Sequence, residues 1–363
     1  MNKVINYLES VISGEKKGIF PSILRIKLMG MSYLTFCVVK LRRWLYNSGM
    51  LKSKRLPCKI ISVGNIIVGG SGKTPTVIAI AKLLKGNSDL KIAVISRGYK
   101  SRIRGNTVVS DGNNVFLTPE QSGDEPYLLA QNLPKIPILI GKNRIKSISE
   151  AIKKWKTQVV ILDDGFQYLK LSHDVDIVTI DSTKPFGFDY LLPRGYLREP
   201  ISALKNADII LLTRIDQCKN LDTLKSRLKH IAPNIPIFES IHQPVSLIQV
   251  DTNNNLGLHY LKDKKVLAVC GIANHFSFFE TLKSLNPKEI IPAYFADHHK
   301  YTNNDFNYIL GKLTDAKADL IVTTEKDAQK LMNISFCAVL ILKIELKLIS
   351  GEFMDIIKQK CNL

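Results

Sequence analysis

Short apolar runs alternate with amphipathic stretches along most of the chain. Six of these runs are rich in β-branched residues and mostly lack polar alternation, and they span residues 60–63, 92–95, 136–140, 159–162, 175–180 and 209–212. Strands that are buried on both faces of a parallel sheet have this pattern. Helical patterns lie between several of the runs, at residues 75–84, 125–132 and 144–155. The alternation predicts repeated βαβ units, and therefore an α/β fold with a doubly wound, mostly parallel sheet.

A second α/β series follows a polar interruption. The interruption covers about residues 240–263 and contains the run Asp251-Thr252-Asn253-Asn254-Asn255, which is typical of a connection between domains. Strand patterns resume at residues 266–269, 290–295, 320–323 and 339–342. We therefore expect an N-terminal helical segment at residues 1–55, a first α/β domain at residues 56–240, a linker at residues 241–262 and a second, smaller α/β domain at residues 263–363.

The N-terminal segment contains an apolar run from Leu28 to Val39, bounded by Lys27 and Lys40. It holds about a dozen residues, whereas a membrane-spanning helix needs about 20, so we expect the run to be too short to cross a bilayer. The flanking residues are basic or aromatic: Arg25, Lys27, Lys40, Arg42, Arg43, Trp44 and Tyr46. Such a composition favours an amphipathic helix in an anionic membrane interface. The alternative is a helix that packs on the α/β domain and leaves its cations in solvent.

The amino-acid composition limits the classes of binding partner but does not select one of them. The 363 residues carry 51 Lys+Arg against 32 Asp+Glu, a formal charge of +19 that attracts nucleic acid, phosphorylated substrates or anionic lipid. Hydrophobic residues make up 45% of the chain, which excludes a largely disordered protein. The six cysteines form no CxxC pair, and no secretory signal pattern precedes the apolar run, so we expect reduced thiols in a cytoplasmic protein.

The strongest local signal is a glycine-rich segment between a predicted strand and a predicted helix. It comprises Ile67, Val68, Gly69, Gly70, Ser71, Gly72, Lys73 and Thr74. Backbone N–H groups in such a loop cradle phosphates, the lysine reaches the β- and γ-phosphates, and the Thr hydroxyl ligates Mg²⁺. The segment departs from the strict P-loop motif because Ile67 occupies the first glycine position. We nevertheless predict a P-loop NTPase-like domain that binds a nucleotide.

Acidic residues follow a predicted buried strand at Asp163 and Asp164. P-loop enzymes place a carboxylate at such a strand end to hold Mg²⁺. Either residue could be the direct ligand. Composition alone does not identify the group that accepts the proton. The candidates lie in the turn at residues 123–126 and in the segments at residues 192–200 and 295–301.

Seven motifs occur in order between about residues 60 and 330. They are Ser62-Val63-Gly64-Asn65 with the glycine-rich segment, Ser96-Arg97-Gly98-Tyr99, Gly123-Asp124-Glu125-Pro126, Asp163-Asp164-Gly165-Phe166-Gln167, Leu192-Pro193-Arg194-Gly195 with Leu197-Arg198-Glu199-Pro200, Phe295-Ala296-Asp297-His298-His299, and Thr323-Thr324-Glu325-Lys326-Asp327. Together they resemble the tetraacyldisaccharide 4′-kinase family.

The resemblance implies an activity, its cofactors and a location. The enzyme would use ATP and Mg²⁺ to phosphorylate the 4′-hydroxyl of an acylated glucosamine disaccharide 1-phosphate in lipid A biosynthesis. It would act as a peripheral protein on the cytoplasmic surface of the inner membrane, with no nucleic acid and no obligate protein partner. An acylated, phosphorylated substrate also accounts for the apolar N-terminal helix and the basic surface.

The resemblance also assigns residues to roles. Lys73 and Thr74 would bind phosphates and Mg²⁺, and Asp163, Asp164 and Glu199 would complete the metal set. Asp124 and His298 would form the proton-accepting pair, although the adjacent His299 is an alternative to His298. Three arginines could contact phosphate: Arg97, Arg194 and Arg198.

Three other hypotheses stay open at this point. A GTPase is suggested by Thr213-Arg214-Ile215-Asp216, although the Asn-Lys pair of a guanine-binding loop is missing. A nucleic-acid-dependent ATPase would use the +19 charge, but no recognisable nucleic-acid-binding motif occurs. A membrane-bound nucleotide sensor would bind ATP without turnover.

Overall fold

The computed structural model describes residues 2–86, 89–331 and 338–363. Its α-helices are α1 (Asn2–Ile12), α2 (Ile19–Asn47), α3 (Lys73–Gly86), α4 (Pro119–Ser122), α5 (Asp124–Asn132), α6 (Arg144–Trp155), α7 (Leu221–Ile231), α8 (His275–Lys283), α9 (Asn303–Asp315), α10 (Glu325–Ala328) and α11 (Glu352–Cys361). Its strands are β1 (Lys59–Gly64), β2 (Ile92–Ser96), β3 (Thr107–Ser110), β4 (Ile138–Ile140), β5 (Val159–Asp163), β6 (Val175–Asp181), β7 (Ile209–Thr213), β8 (Ile237–Gln249), β9 (Asn255–Leu256), β10 (Lys265–Cys270), β11 (Glu289–Tyr294), β12 (Leu320–Thr324) and β13 (Val339–Leu348).

Contacts divide the chain into two compact units, each assembled from separated segments. Unit 1 comprises Met1–Lys73, Gln158–Glu239 and Ser350–Leu363, and unit 2 comprises Thr74–Thr157 and Ser240–Ile349. This division differs from the expected order of domains along the chain. The stretch expected as a linker, residues 241–262, contains most of β8, all of β9 and a 3₁₀ turn at Leu258–Leu261. This polar sequence forms a strand and not a loop, because buried and more exposed side chains alternate along the first half of β8.

Unit 1 contains a parallel sheet in the order β5-β1-β6-β7, extended by the start of β8. β5 and β7 are buried along their whole length, as their unalternating β-branched sequences predict. A hydrophobic cluster on this sheet joins Phe166, Val178 and Leu212 to residues of the loop after β6, among them Leu191 and Leu197. The predicted fold class, α/β with mostly parallel strands, is confirmed.

Helix α2 is longer than the apolar run suggested. It extends over 29 residues, about 43 Å, and is long and apolar enough to cross a membrane by length and composition. The expectation that this segment is too short to cross a bilayer is therefore wrong, because the helix continues through the basic residues on both sides of the run.

One face of α2 contacts unit 1. Ser32 and Arg43 are buried, and Phe36 packs against the hydrophobic cluster. The Ser32 hydroxyl donates to the Leu191 carbonyl at 2.8 Å. The other face leaves large apolar side chains in solvent, each at least 46% exposed: Phe20, Ile23, Ile26, Leu34, Val38, Leu41 and Trp44. The helix packs on the protein, as the second alternative expected, and its outer face is an apolar surface of the kind that the first alternative requires.

Unit 2 contains two groups of strands. In one, β4 pairs with β2 in parallel and with β3 in antiparallel orientation. In the other, the order is β11-β10-β12-β13-β8, where the first four strands are parallel and β8 runs antiparallel to β13. β10 is buried almost throughout, with Leu267 and Val269 facing one hydrophobic cluster and Val266 and Ala268 facing another. All four strands predicted for the second series are present.

The cysteines of the described residues are free thiols: Cys37, Cys58, Cys218, Cys270 and Cys361. Cys337, also expected to be reduced, lies outside the described residues.

Candidate active site

The glycine-rich segment forms the turn from β1 to α3. Gly69 and Gly72 have φ values of 113° and 83°, which residues with a side chain rarely adopt, so glycine is required at both positions. Lys73 is the first residue of α3 and is half-buried, and Thr74 follows it in the buried first turn. A helix N-terminus after such a turn presents N–H groups and a positive dipole end to an anion. The predicted phosphate-binding residues therefore lie in a geometry suited to that role.

The turn is held in shape by buried polar contacts. The Ser71 hydroxyl lies 2.8 Å from the Asn65 side-chain nitrogen and 2.8 Å from the Thr179 hydroxyl. Arg214 donates to the Gly70 carbonyl and pairs with Asp181 at 2.6 Å. Burial favours the neutral form of Arg214, and it lowers the pKa of the guanidinium although Asp181 opposes the shift.

Sequence reasoning missed these supporting residues. Thr213-Arg214-Ile215-Asp216 suggested a guanine-reading loop, whereas Arg214 contacts the backbone of the glycine-rich turn. Its position directly after a buried strand was the available signal.

Asp163 and Asp164 lie where β5 ends. Asp163 is 1% exposed, and Asp164 has a left-handed backbone with φ 60°. Arg198 donates to both oxygens of the Asp164 carboxylate, at 2.8 and 3.2 Å. Arg198, considered from its motif as a phosphate contact, holds a predicted metal carboxylate in this structure.

Glu199 is also paired with an arginine. Its Oε2 accepts from Arg43 Nε at 2.6 Å, and both side chains are buried. The Arg43 guanidinium lies 4.5 Å from the centre of the Phe166 ring, so the motif that contains Asp163 and Asp164 contacts the same cation. Sequence reasoning did not foresee that an N-terminal helix supplies this partner, because 156 residues separate the two side chains.

The donor set fits Mg²⁺ chemically. Within the described part of the chain, no three His, Cys, Asp or Glu side chains lie close enough together to hold a metal ion. Mg²⁺ does not require such a cluster, since it binds through one or two carboxylates, waters and substrate phosphates. Hard oxygen atoms are offered by all four predicted ligands, Thr74, Asp163, Asp164 and Glu199. Their role in holding the metal remains a prediction.

Asp124 and His298 form a hydrogen-bonded pair within unit 2. His298 Nδ1 lies 2.9 Å from Asp124 Oδ2, although 174 residues separate them. Asp124 begins α5 directly after Gly123, whose φ of 92° allows the sharp entry of the chain. His298 has φ 59°, and its N–H donates to the Gly271 carbonyl at 3.1 Å.

The charges around Asp124 determine its protonation state. Burial raises the pKa of this carboxyl, but hydrogen bonds from His298 and Lys330, with the charges of Lys330 and Lys326, outweigh burial and lower the pKa to about 2. Asp124 is therefore ionised near neutral pH and can only accept. His298 must carry the proton on Nδ1, which leaves Nε2 of the neutral ring able to accept a proton.

The remaining predicted residues have other surroundings. His299 Nε2 lies 3.0 Å from Asp305, which caps the start of α9, so the geometry favours His298 over its neighbour. Arg194 donates to the Ile12 carbonyl at 2.9 Å and lies over the Tyr190 ring. Arg97 is exposed on the loop after β2. Tyr99, on the same loop, contacts the His298 ring edge-on at 5.7 Å between ring centres.

Comparisons with known proteins agree over nearly the whole chain. The family model described as Tetraacyldisaccharide-1-P 4′-kinase matches residues 24–362. Proteins named tetraacyldisaccharide 4′-kinase include one from Halothermothrix orenii, 37% identical over 90% of this chain and 88% of its own length. One from Syntrophus aciditrophicus is 39% identical over 88% of this chain and 87% of its own. The crystal structure of LpxK from Aquifex aeolicus in complex with ATP aligns with a TM-score of 0.73 and 33% identity, covering 93% of this chain and 99% of that one.

Proposed function

Since the chain belongs to the tetraacyldisaccharide-1-P 4′-kinase family, we propose that it transfers the γ-phosphate of ATP to the 4′-hydroxyl of a tetraacylated glucosamine disaccharide 1-phosphate. Membership makes it an ATP-dependent kinase of lipid A biosynthesis. The product would be the 1,4′-bisphosphate. The observation that carries the proposal is the 2.9 Å contact between Asp124 and His298, because phosphoryl transfer to an alcohol needs a group that takes the hydroxyl proton.

The glycine-rich turn is our proposed ATP site. Its backbone N–H groups would hold the phosphates, and Lys73 would stabilise the negative charge that develops on the transferred group. Mg²⁺ would be held by Thr74 and by one or more of Asp163, Asp164 and Glu199, and it supplies neutralisation of phosphate charge when bound. For Asp164 and Glu199, this role requires the paired arginine to share or release its carboxylate.

Proton transfer would occur at His298. The 4′-hydroxyl would lose its proton to His298 Nε2 while its oxygen forms a bond to the γ-phosphorus and the bond from that phosphorus to the β–γ bridging oxygen breaks, releasing ADP. Asp124 would hold the Nδ1–H tautomer and stabilise the resulting imidazolium. An ionised carboxylate hydrogen-bonded to the far ring nitrogen performs both tasks.

We also propose that the protein is peripheral on the cytoplasmic surface of the inner membrane and requires no protein partner. The exposed apolar face of α2 supports the membrane location, because it is bordered by the exposed cations Lys27, Lys40 and Arg42. Such a face buries its side chains at the acyl boundary while the cations meet anionic headgroups.

A direct assay tests the reaction. ATP labelled at the γ-phosphate is incubated with the tetraacylated disaccharide 1-phosphate in detergent micelles and Mg²⁺, and the lipid is separated by chromatography. We expect labelled bisphosphorylated lipid from the unaltered chain and at least a hundredfold less from Lys73→Ala and from Asp124→Ala.

Two substitutions serve as matched controls. Lys82→Ala removes an exposed lysine from the same helix as Lys73, and Asp89→Ala removes an exposed aspartate, so both should retain transfer. Absence of lipid label despite intact ATP binding would overturn the assigned acceptor. Equal loss in the controls would attribute the effect to folding instead of to the site.

A further inference from the structure

One short segment supplies two lysines to the surroundings of His298. Lys326 lies in α10, and Lys330 lies four residues later, in the turn that follows the end of α10 at Ala328. Lys330 Nζ donates to Asp124 Oδ2 at 2.6 Å, and Lys326 Nζ donates to Asp297 Oδ1 at 2.8 Å. These two aspartates flank the imidazole, since Asp124 contacts Nδ1 and Asp297 Oδ2 lies 3.8 Å from Nε2.

We propose that Lys330, assisted by Lys326, is a positioning residue that keeps the His298 imidazole neutral and fixes its orientation for proton acceptance. The proposal rests on the proposed function, in which His298 accepts the proton. It goes beyond that function because it assigns roles to lysines that need not touch either substrate.

The contacts at Asp124 show how the orientation is fixed. Lys330 and His298 meet the same oxygen of this carboxylate, Oδ2. Both lysine side chains are largely buried, at 13% and 15% exposure, and the side chain of Asp124 is 12% exposed. A buried, charge-assisted bond of this length restricts the carboxylate more than an exposed pair would. The imidazole is thereby held by a partner that is itself fixed.

The two lysines offset the charges of the carboxylates beside the imidazole. Two carboxylates beside an imidazole favour its protonated form, and an imidazolium cannot accept the hydroxyl proton. The two lysines cancel the charges of Asp124 and Asp297, so the four groups sum to zero. The other groups that act on this cluster are Tyr99, against the ring, Lys100, which acts on Asp297, and Glu125, which acts on Lys326. Removing Lys330 would leave one excess negative charge beside the ring.

The segment that carries the lysines has its own anchor. Asp327, fully buried, accepts from the Gly271 N–H at 2.9 Å and from the Thr324 hydroxyl at 2.7 Å. Gly271 also accepts from the backbone N–H of His298. The lysines and His298 are therefore tied to the same residue of the turn after β10, which keeps their separation constant.

The experiment compares Lys330→Met, which removes the charge, with Lys330→Arg, which keeps it. Transfer of γ-phosphate to the disaccharide is measured from pH 5.5 to 9. In Lys330→Met, we expect the acidic limb of the pH profile of kcat to shift to higher pH by about one unit. The value of kcat at pH 7 should fall about tenfold, and the KM for ATP should not change. Lys330→Arg should restore most of the activity and the original limb. Lys312→Met removes a half-buried lysine of α9 whose Nζ donates to the Pro292 carbonyl at 2.9 Å, away from this cluster, and should match the unaltered chain.

A second measurement does not depend on turnover. NMR of the full chain with labelled histidine follows the His298 ring, assigned by its loss in His298→Gln, and the midpoint of its titration should move to higher pH in Lys330→Met. If no lipid is labelled but this midpoint moves, the proposed function fails and the positioning role stands. An unmoved midpoint, or an equal loss of kcat at every pH in Lys330→Met and Lys330→Arg, would overturn the proposal.

Discussion

Arg43 and Glu199 form a buried ion pair, with 2.6 Å between Arg43 Nε and Glu199 Oε2. Arg43 lies on the helix that presents an apolar face to solvent, and Glu199 is one of the metal ligands that we propose. A single contact thus connects the surface that we propose for the membrane to a carboxylate of the proposed site. Its loss should affect both folding and chemistry.

Arg43→Ala should destabilise the protein strongly, because it leaves the Glu199 carboxylate buried without its cation. Breaking a buried pair by removing one partner costs about 3–5 kcal/mol. Arg43→Met combined with Glu199→Gln should recover much of that loss, since no unpaired charge remains. Urea unfolding of each variant, followed by circular dichroism, measures the difference. Arg42→Ala is the control, because Arg42 is exposed and donates to the Gln167 carbonyl instead of to a buried carboxylate. A cost for Arg43→Ala no larger than that of Arg42→Ala would contradict this prediction.

Membrane binding should depend on the outer face of α2. Leu34→Glu and Val38→Glu place charges at positions that are 66% and 67% exposed, so the fold should tolerate them. Each should weaken binding to vesicles that contain anionic lipid by about tenfold or more, because each removes apolar burial worth about 1.5–3 kcal/mol. Flotation of the protein with vesicles in a density gradient measures binding. Ile349→Glu, at another exposed apolar position, should bind normally. Equal flotation of all variants would assign membrane attachment to a different surface.

Stability in acid should reflect the ionised state of Asp124. Its pKa, about 2 in the folded protein, lies below the ordinary value of 3.8. The stabilisation is therefore fully present above about pH 4 and is lost as the pH falls through 2. The expected contribution is on the order of 2 kcal/mol. Urea unfolding midpoints of the unaltered chain and of Asp124→Asn should differ above pH 4 and converge towards pH 2. Curves that stay parallel over this range would show that Asp124 is not the group that titrates.

Gly64→Ala should damage the turn after β1. A Cβ at this position would lie 2.5 Å from Phe166 Cβ and 2.8 Å from the Phe166 backbone nitrogen. The backbone of the motif that follows β5 would have to move, at a cost of about 1–3 kcal/mol. The thermal unfolding temperature should fall, and ATP binding should weaken. Gly86→Ala is the matched control, because nothing lies within 4 Å of the added carbon and the position is helical. Unchanged ATP binding in Gly64→Ala would show that the turn adapts.

The sequence predicted the strands well because parallel strands buried on both faces have an unmistakable composition. β5 and β7 lie where runs of Val, Ile and Leu placed them. The pairing of Asp124 with His298 also followed from motifs, but through the family resemblance. No local pattern indicates that two residues so far apart in the chain share a hydrogen bond.

The partners of the site residues could not be predicted in the same way. Arg43 was one of several cations beside an apolar run, and Lys330 lay just beyond the last motif. Burial separates them from solvated lysines and arginines, and burial depends on the tertiary packing of distant segments. The polar sequence of β8 was misleading for a related reason, since hydrogen bonds to β13 compensate for its low hydrophobicity.

The four-residue interval between Lys326 and Lys330 has a consequence for how this segment can vary. Because α10 ends at Ala328 and Lys330 lies in the turn that follows, one inserted or deleted residue between the lysines would displace Lys330 from Asp124, while Lys326 kept its contact with Asp297. A substitution at Gln329 leaves that spacing unchanged, whereas Asp327, also between the lysines, is needed for its contacts with Gly271 and Thr324. The segment should therefore accept changes of residue type at Gln329 and reject any change of length.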